Sequence, residues 1–208
     1  VLKKSTLLSP YEIGALAAIG SVKVNVFKRP IVAIFSTGAE VTEPGKPLAP
    51  GKIYDINAHA LSAVVRECGC EPRNMGIVQD EPSQMTTALQ KALKTADLVI
   101  TSGGVSVGPT DIIPKVLNTL GKPGVIVYGI AIRPGKPTTI ALVNGVPVFS
   151  LPGHPTSSLM IFHLFVILFA AGISGAVVSA EPLWPEFRGP TGQGHSIATG
   201  LPLEWGPD

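Results

Sequence analysis

The chain has 208 residues, of which 45% are hydrophobic and 14% are charged, and its formal net charge at pH 7 is +2. This length and apolar content suffice for a sizeable buried core, in one domain or one and a part. The low net charge, the dispersed lysines and arginines and the 6% aromatic content exclude the basic, aromatic surface of a nucleic-acid-binding protein. Composition therefore predicts a folded soluble domain without nucleic acid as a partner, and it leaves the chemistry open.

The first predicted elements are a capped helix and two strands. Ser9 suits the N-cap position and Pro10 the first helical position, so a helix should cover residues 11–19. β-branched residues predict strands over 22–26 and 31–35, separated by a Lys-Arg-Pro break.

The middle of the chain alternates helical and strand patterns. Apolar residues at helical spacing predict a helix over 57–68 that ends at Gly69, and a short strand follows at 76–78. The next predicted elements, alternately helix and strand, are 82–96, 98–101, 111–120 and 125–130.

This alternation favours parallel strands joined by right-handed crossovers, with helices on both faces of the sheet. Residues 138–142 and 146–149 are joined by Asn144 and Gly145, which predicts a β-hairpin at the edge. The predicted fold class is therefore α/β, with a doubly wound, mostly parallel sheet and an irregular C-terminal tail.

The only two cysteines are Cys68 and Cys70. A single intervening residue suits neither a local disulfide nor the C-x-x-C spacing of redox and zinc sites. We expect two structural thiols of a reducing compartment.

The most informative stretch is residues 101–111, which follows the apolar run 98–100. Its three glycines let backbone N–H groups approach a ligand closely, and Asp111 closes the loop where a helix should begin. Such a loop is typical of an anion or phosphoester cradle with a carboxylate at its rim. The lysine of a P-loop and the G-x-G-x-x-G spacing of a dinucleotide fold are both absent from the sequence.

Four other polar loops occupy residues 36–40, 54–57, 132–137 and 151–157. In an open α/β sheet the C-terminal strand ends gather on one side, so we expect these loops to form one ligand crevice with the glycine loop. Arg133 and Lys136 stand on a proline-stiffened turn, which would hold two cations ready for a dianion. Each could also be an ordinary solvated surface charge.

These motifs resemble, in order and spacing, those of the central domain of the molybdenum insertases, the MoeA and gephyrin E-domain family. The similar motifs extend from the Ser-Pro-Tyr-Glu-Ile-Gly segment 9–14 to Leu164 and Phe165. The resemblance covers residues 1–166. It implies a molybdenum cofactor biosynthesis enzyme that inserts molybdate into adenylylated molybdopterin and releases AMP with the help of Mg²⁺. It also implies a cytoplasmic homodimer, with molybdopterin adenylyltransferase as a candidate partner.

The resemblance implies catalytic roles for Asp111, Glu40, Asp80 and Lys136, with Asp111 as the Mg²⁺ ligand. The positions that it implies for substrate binding are Thr37, Gly38, Asp55, Asn57, Ser102, Gly103, Gly104, Ser106, Gly108, Arg133, Pro137, Pro152, Pro155 and Ser157. Asp111 could instead be only a helix N-cap, and Glu40 and Asp80 could be turn residues.

Four positions depart from the family pattern. Arg133 stands where lysine is common, which keeps the charge and changes the donor geometry. Ala39 replaces Asp or Asn, Ile56 replaces a hydroxyl residue and His154 replaces asparagine. Because no second His or Cys stands at ligand spacing, we expect His154 to be a turn residue rather than a metal ligand.

Two alternative functions remain open on the sequence. The first is adenylyl transfer from ATP to molybdopterin on the same fold, and the second is a non-catalytic binding or scaffold module. The N-terminal domains and the C-terminal β-domain of the family are absent from this chain, so the chain could bind substrate without turnover.

The predicted domains are a linking segment with a helix (1–21), a molybdopterin-binding α/β domain (22–170) and an apolar, Gly/Pro-rich tail (171–208). Residues 164–180 carry no charge, which leaves three interpretations: a join to a foreign tail, a buried helix or a membrane anchor. Seventeen residues are the lower limit for a span, and the glycines within them disfavour an anchor. The last thirty or so residues resemble the start of a secreted quinoprotein-like β-propeller.

Overall fold

The structure is a computed structural model that describes residues 2, 3, 6, 8–104 and 111–167. The elements in chain order are α1 (Pro10–Ala18), β1 (Ile31–Thr37), β2 (Val41–Thr42), β3 (Ile53–Tyr54), α2 (Asn57–Glu67), β4 (Glu71–Val78), α3 (Pro82–Thr95), β5 (Leu98–Ser102), α4 (Ile112–Leu120), β6 (Pro123–Tyr128), β7 (Thr139–Val143), β8 (Val146–Leu151), α5 (Pro155–Ile161) and a π-helical segment (Phe162–Val166).

The main sheet has six strands in the order β4-β1-β5-β8-β7-β6. β4, β1, β5 and β8 pair in parallel, whereas β7 is antiparallel to both β8 and β6. The predicted α/β fold with a mostly parallel sheet is therefore confirmed. The β7–β8 hairpin forms as predicted, but its predicted place at the edge is wrong. Each of its strands has a partner on both sides, and β6 takes the edge.

The sheet is buried between two helical layers. Successive side chains of β1 point to opposite faces. Val32 and Ile34 join the core beneath α2 and α5, while Ala33 and Phe35 join the core beneath α3 and α4. Because both faces of the sheet are buried, the sequence of β1 is a nearly continuous apolar run rather than an alternation of apolar and polar residues.

The predicted helices agree with the structure within one residue at either end, except that α5 was predicted only as an apolar helix without bounds. At the start of α1, the Ser9 side chain accepts the Tyr11 N–H, and the Ser9 N–H donates to the Glu12 carboxylate at 2.9 Å. These reciprocal bonds form a capping box, which satisfies N–H groups that the first helical turn leaves without partners.

The strand predicted over 22–26 is wrong, because residues 21–30 form no strand. Val22 is 92% exposed and Val26 is 70% exposed. A strand needs a neighbour for its backbone hydrogen bonds and a face to bury, and β-branched residues alone supply neither.

β4 extends over eight residues rather than the predicted three, and β6 lies two residues earlier than predicted at both ends. Both are edge strands of the sheet. The first part of β4 carries exposed polar residues, including Glu71 and Arg73, so it has no apolar pattern to reveal it.

The short parallel pair β2–β3 was not predicted. The Ile53 N–H donates to the Glu40 carbonyl and the Asp55 N–H donates to the Thr42 carbonyl, both at 2.9 Å. This pair brings the segment that precedes α2 against the segment that follows β1.

Cys68 and Cys70 form no disulfide, as predicted. No helix in the described part of the chain is long and apolar enough to cross a membrane. The predicted site residues Ser106 and Gly108, the tail 171–208 and all but the first four residues of 164–180 lie outside the described residues.

Candidate functional site

The chain segments that follow β1, β5 and β8 meet at the carboxyl ends of these strands, because the strands are parallel neighbours in the sheet. Ser36 on β1 stands opposite Ser102 on β5, and Ser102 stands opposite Leu151 on β8. Beyond them, the Gly103 N–H donates to the Leu151 carbonyl at 3.1 Å. The sheet register thus sets polar side chains of separate loops side by side.

A pocket of about 380 Å³ opens at the carboxyl ends of these strands. Its lining residues are Ser36, Thr37, Glu40, Val41, Ile53, Tyr54, Asp55, Ile56, Asn57, Ser102, Gly153, His154 and Pro155. The volume falls within the usual range for small-molecule sites. The predicted binding or catalytic residues among them are Thr37, Glu40, Asp55, Asn57, Ser102 and Pro155.

Asp55 forms part of the pocket floor and is only 7% exposed. Its Oδ1 accepts the Ser36 hydroxyl at 2.8 Å and the Ala58 N–H at 3.0 Å. The second bond satisfies a backbone donor in the first turn of α2, where a negative charge is favoured. Both bonds use the same oxygen, which fixes the orientation of the carboxylate.

Asn57 joins three chain segments at the floor. Its Nδ2 donates to the Ser102 hydroxyl and to the Gly153 carbonyl, each at 2.7 Å. Asn57 is 8% exposed, and its Oδ1 is buried without a hydrogen-bond partner. A buried acceptor without a partner is rare in folded proteins and calls for an explanation.

The two glycines that follow β5 pack against the end of β1. A Cβ on Gly103 would lie 2.3 Å from the Thr37 carbonyl oxygen. A Cβ on Gly104 would lie 2.3 Å from the Thr37 hydroxyl and 2.9 Å from Asp80 Oδ1. Both glycines have positive φ, so only glycine fits this close approach without strain.

Asp80 and Glu40 form an acidic pair beside these glycines. Partial burial raises the pKa of Asp80, the negative charge of Glu40 raises it further, and the Thr37 hydroxyl opposes the rise. Glu40 also folds back over Gly38, where an added Cβ would lie 2.8 Å from both carboxylate oxygens. No cluster of three or more potential metal ligands occurs within the described residues.

The turn with Arg133, Lys136 and Pro137 stands apart from the pocket lining. Arg133 and Lys136 are exposed. Gly135 packs so closely on α5 that an added Cβ would lie 2.5 Å from the Cδ1 of Ile161. The turn is therefore anchored on α5, the helix that also carries the buried predicted residue Ser157.

Several other predicted residues also lie outside the pocket lining, namely Gly38, Asp80, Gly103, Gly104, Ser157, Asp111 and Pro152. Asp111 is 5% exposed and takes the N-cap position of α4, although its carboxylate accepts no capping hydrogen bond from the described first turn. Pro152 is buried, and its carbonyl accepts the Ser102 hydroxyl at 3.4 Å.

Sequence reasoning missed several pocket residues as individual candidates, among them Ser36, Tyr54 and Gly153. Ser36 is the first hydroxyl after the apolar run of β1, and Tyr54 directly precedes Asp55. Their positions beside the predicted residues were a usable signal. Gly153 contributes its backbone carbonyl, which no sequence pattern indicates.

Residues 33–171 match the family described as a probable molybdopterin binding domain. The chain belongs to this family. The match includes every residue that lines the pocket and the turn that carries Arg133 and Lys136.

Relatives and a solved structure agree with this assignment. The molybdopterin molybdenumtransferase of Nostoc sp. is 40% identical over 191 residues, which are 90% of this chain and 44% of the relative. That of Bacillus subtilis is 38% identical over 166 residues, which are 80% of this chain and 38% of the relative. The crystal structure of the molybdopterin biosynthesis MoeA protein from Pyrococcus horikosii superposes with a TM-score of 0.73 at 43% identity, over 83% of this chain and 43% of that chain. The chain thus spans less than half the length of these proteins.

Proposed function

We propose that this chain is the central part of a molybdenum insertase, which inserts molybdate into adenylylated molybdopterin and releases AMP. The observation that carries the proposal is the approach of Gly103 and Gly104 to Thr37 beside the Asp80–Glu40 pair. A glycine loop supplies N–H donors for phosphate oxygens, and carboxylates beside it suit a cation-assisted reaction at phosphate. The names and the identity of the relatives support the same activity.

The acidic residues fit Mg²⁺ as a cofactor. Burial is the main cause of the raised pKa of Asp80, and the negative charge of Glu40 adds to it, so a cation between the two carboxylates would relieve their repulsion. Mg²⁺ usually takes one or two protein carboxylates and completes its shell with water and substrate phosphate. The candidates to hold it are either the Glu40–Asp80 pair or Asp111, and the ion would neutralise charge on the phosphoanhydride.

The remaining polar residues have separable roles in this proposal. Arg133 and Lys136 attract the molybdate dianion, with Ser157 as a nearby hydroxyl on α5. Asp111 orients water against the phosphoanhydride at the rim of the glycine loop. Water then adds to the phosphorus of the adenylyl group and loses its proton to solvent. The bond from that phosphorus to the bridging oxygen breaks, the pterin-side phosphate keeps this oxygen, and AMP leaves with the oxygen from water.

We further propose the biological setting that the family resemblance implies. The protein acts in the cytoplasm as a homodimer and receives its substrate from a molybdopterin adenylyltransferase. Residues 22–170 form the molybdopterin-binding domain, residues 1–21 are a linking segment with a helix, and residues 171–208 are a tail.

AMP release tests the proposal. The chain is incubated with adenylylated molybdopterin and Mg²⁺, with and without molybdate, and AMP is measured by chromatography. We expect AMP release that depends on molybdate. Formation of adenylylated molybdopterin from ATP and molybdopterin would instead identify the chain as the sister transferase. Absence of molybdopterin binding together with capture of a protein partner would identify a scaffold.

A further inference from the structure

His154 lies where the pocket meets the glycine loop. It directly precedes α5, is exposed and lines the pocket. Its chain neighbour Gly153 packs against the loop, since a Cβ added to Gly153 would lie 3.3 Å from the Cα of Gly103. The Gly153 carbonyl accepts an N–H of the Asn57 side chain at 2.7 Å, which fixes this turn from the other side. The imidazole of His154 therefore stands beside both parts of the site.

The His154 side chain has no structural role within the described part of the chain. His154 takes the N-cap position of α5, but its side chain makes no capping hydrogen bond. Its backbone carbonyl accepts the Ser158 N–H at 2.9 Å, so only the main chain contributes to the first turn of the helix. Neither a hydrogen bond nor an ion pair joins the imidazole to another described residue. The imidazole is thus available to a ligand, and α5 does not depend on it.

The other side chains that line the pocket use their hydrogen-bond donors within the protein or hold them out of reach. Four of them donate to protein oxygens: Ser36 to Asp55, Tyr54 to the Lys46 carbonyl, Asn57 to Ser102 and the Gly153 carbonyl, and Ser102 to the Pro152 carbonyl. The Thr37 hydroxyl oxygen is buried, and the ionised carboxylates of Glu40 and Asp55 only accept hydrogen bonds. Among the described lining residues, His154 therefore carries the one side-chain donor that is open to the pocket.

An anionic group at this point of the site needs such a donor. Glu40 and Asp55 are both among the lining residues, and these include no lysine or arginine. An anion that met only carboxylates in a partly buried site would be repelled. Backbone N–H groups of the glycine loop can donate to it from one side. The imidazole can donate from the other side, because it carries an N–H in its neutral and in its protonated form.

We infer that His154 is a substrate-binding residue whose ring N–H donates to an anionic oxygen of the phosphoanhydride beside the glycine loop. The inference deepens the proposed function and rests on it for the class of substrate. A phosphate oxygen is favoured over molybdate because the turn with His154 packs on the glycine loop, whereas Arg133 and Lys136 stand apart from the pocket lining. The family resemblance assigns His154 no role, since the chain departs from the family pattern at this position.

Equilibrium binding tests the inference without turnover. The ligand is adenylylated molybdopterin, and its dissociation constant is measured by pterin fluorescence in the unaltered protein and in His154→Phe. Phenylalanine keeps a planar ring but has no N–H to donate. We expect the dissociation constant to rise about tenfold or more, which is the effect of losing one hydrogen bond to a charged group. Circular dichroism should show the same fold in both proteins, because the imidazole makes no capping bond.

Two further variants separate hydrogen bonding from other effects. His154→Asn replaces the ring N–H by an amide N–H, and the amide oxygen remains free to cap α5. The dissociation constant of this variant should stay within about threefold of the unaltered protein, because the donor is retained. The control is His59→Phe, which makes the same substitution at an exposed histidine of α2 outside the pocket lining and should leave binding unchanged.

Two results would overturn the inference: an unchanged dissociation constant in a folded His154→Phe protein, or equal losses in His154→Phe and His154→Asn. Molybdate binding is measured in parallel by equilibrium dialysis. A loss confined to molybdate would assign the imidazole to the other oxyanion and would also overturn the inference.

The same measurements distinguish this inference from the proposed function. If the unaltered protein binds adenylylated molybdopterin and the His154 variants bind it equally well, the proposed function stands and only the role of His154 is wrong. If the unaltered protein does not bind this ligand at all, the proposed function fails and the inference fails with it.

Discussion

Gly103 passes so close to Thr37 that a Cβ at position 103 would lie 2.3 Å from the Thr37 carbonyl oxygen. The obstacle is backbone at the end of β1, a strand with a partner on both sides, so it cannot move aside as a flexible side chain would. We predict that Gly103→Ala lowers the free energy of unfolding by more than about 2 kcal/mol, as overpacking adds to the strain of positive φ. Urea denaturation measures the change.

Gly51 provides the matched control for this substitution. Its φ of +76° is close to the +88° of Gly103, but an added Cβ would meet nothing within 4 Å. Gly51→Ala should therefore show only the backbone strain of about 1–2 kcal/mol. Equal losses in the two variants would mean that the contact with Thr37 relaxes without cost.

Asp111→Asn should preserve the fold and largely abolish the Mg²⁺-assisted release of AMP. Asparagine serves the N-cap position, which Asp111 occupies at the start of α4, about as well as aspartate. The measurement is a Mg²⁺ titration of AMP release, with circular dichroism as the control for folding. A folded variant with the full Mg²⁺ response would reduce Asp111 to a structural role.

Lys136→Ala should weaken molybdate binding while the response to Mg²⁺ is retained. Loss of one charge-assisted hydrogen bond corresponds to about 1.5–3 kcal/mol, or at least a tenfold higher molybdate concentration for half-maximal AMP release. Lys136 is exposed, so its removal should leave unfolding nearly unchanged. The matched control is Lys23→Ala, an exposed lysine in the segment that precedes β1. The same shift in both variants would indicate a general charge effect.

Cys70 should make the stability of the protein depend on pH in the alkaline range. Burial, with a smaller contribution from the charges of Cys68 and Asp97, raises the pKa of its thiol from 9.0 to about 11. Because the folded state holds the proton more tightly, the stabilisation is complete below the unfolded pKa and is lost as pH rises through the folded one. The free energy of unfolding should fall between about pH 9 and pH 11.

The comparison for this prediction is Cys70→Ala. The variant removes the titrating thiol, so its loss of stability across the same pH range should be smaller than that of the unaltered protein. Parallel pH profiles of the two proteins would assign the alkaline loss to other groups.

The regular elements were predictable where a local pattern is sufficient. Ser9 and Pro10 define the start of α1 because capping depends on residues within one turn. The apolar run of β1 indicates a strand that is buried on both faces. The alternation of such elements was enough to predict the mostly parallel sheet, because crossover connections constrain its topology.

Local sequence patterns do not predict a strand correctly where its formation depends on a neighbouring strand. Residues 22–26 have the side chains of a strand but no neighbour to pair with, whereas the polar start of β4 becomes a strand because β1 lies beside it. The same reason places β6 rather than the hairpin at the edge. Pairing is a property of segments that are distant in sequence.

Three loops of the site could be predicted from the sequence: the glycine loop, the Tyr-Asp-Ile-Asn segment and the Arg-Pro-Gly-Lys-Pro turn. Each depends on a few adjacent residues with special backbone or charge requirements. Only the tertiary structure decides how they are arranged. It joins Asp55 to Ser36 and Asn57 to Ser102, and it leaves Lys136 outside the pocket lining. These contacts follow from the sheet register and from helix packing, which bring together side chains that are up to about a hundred residues apart and set which of their polar atoms remain free for a ligand.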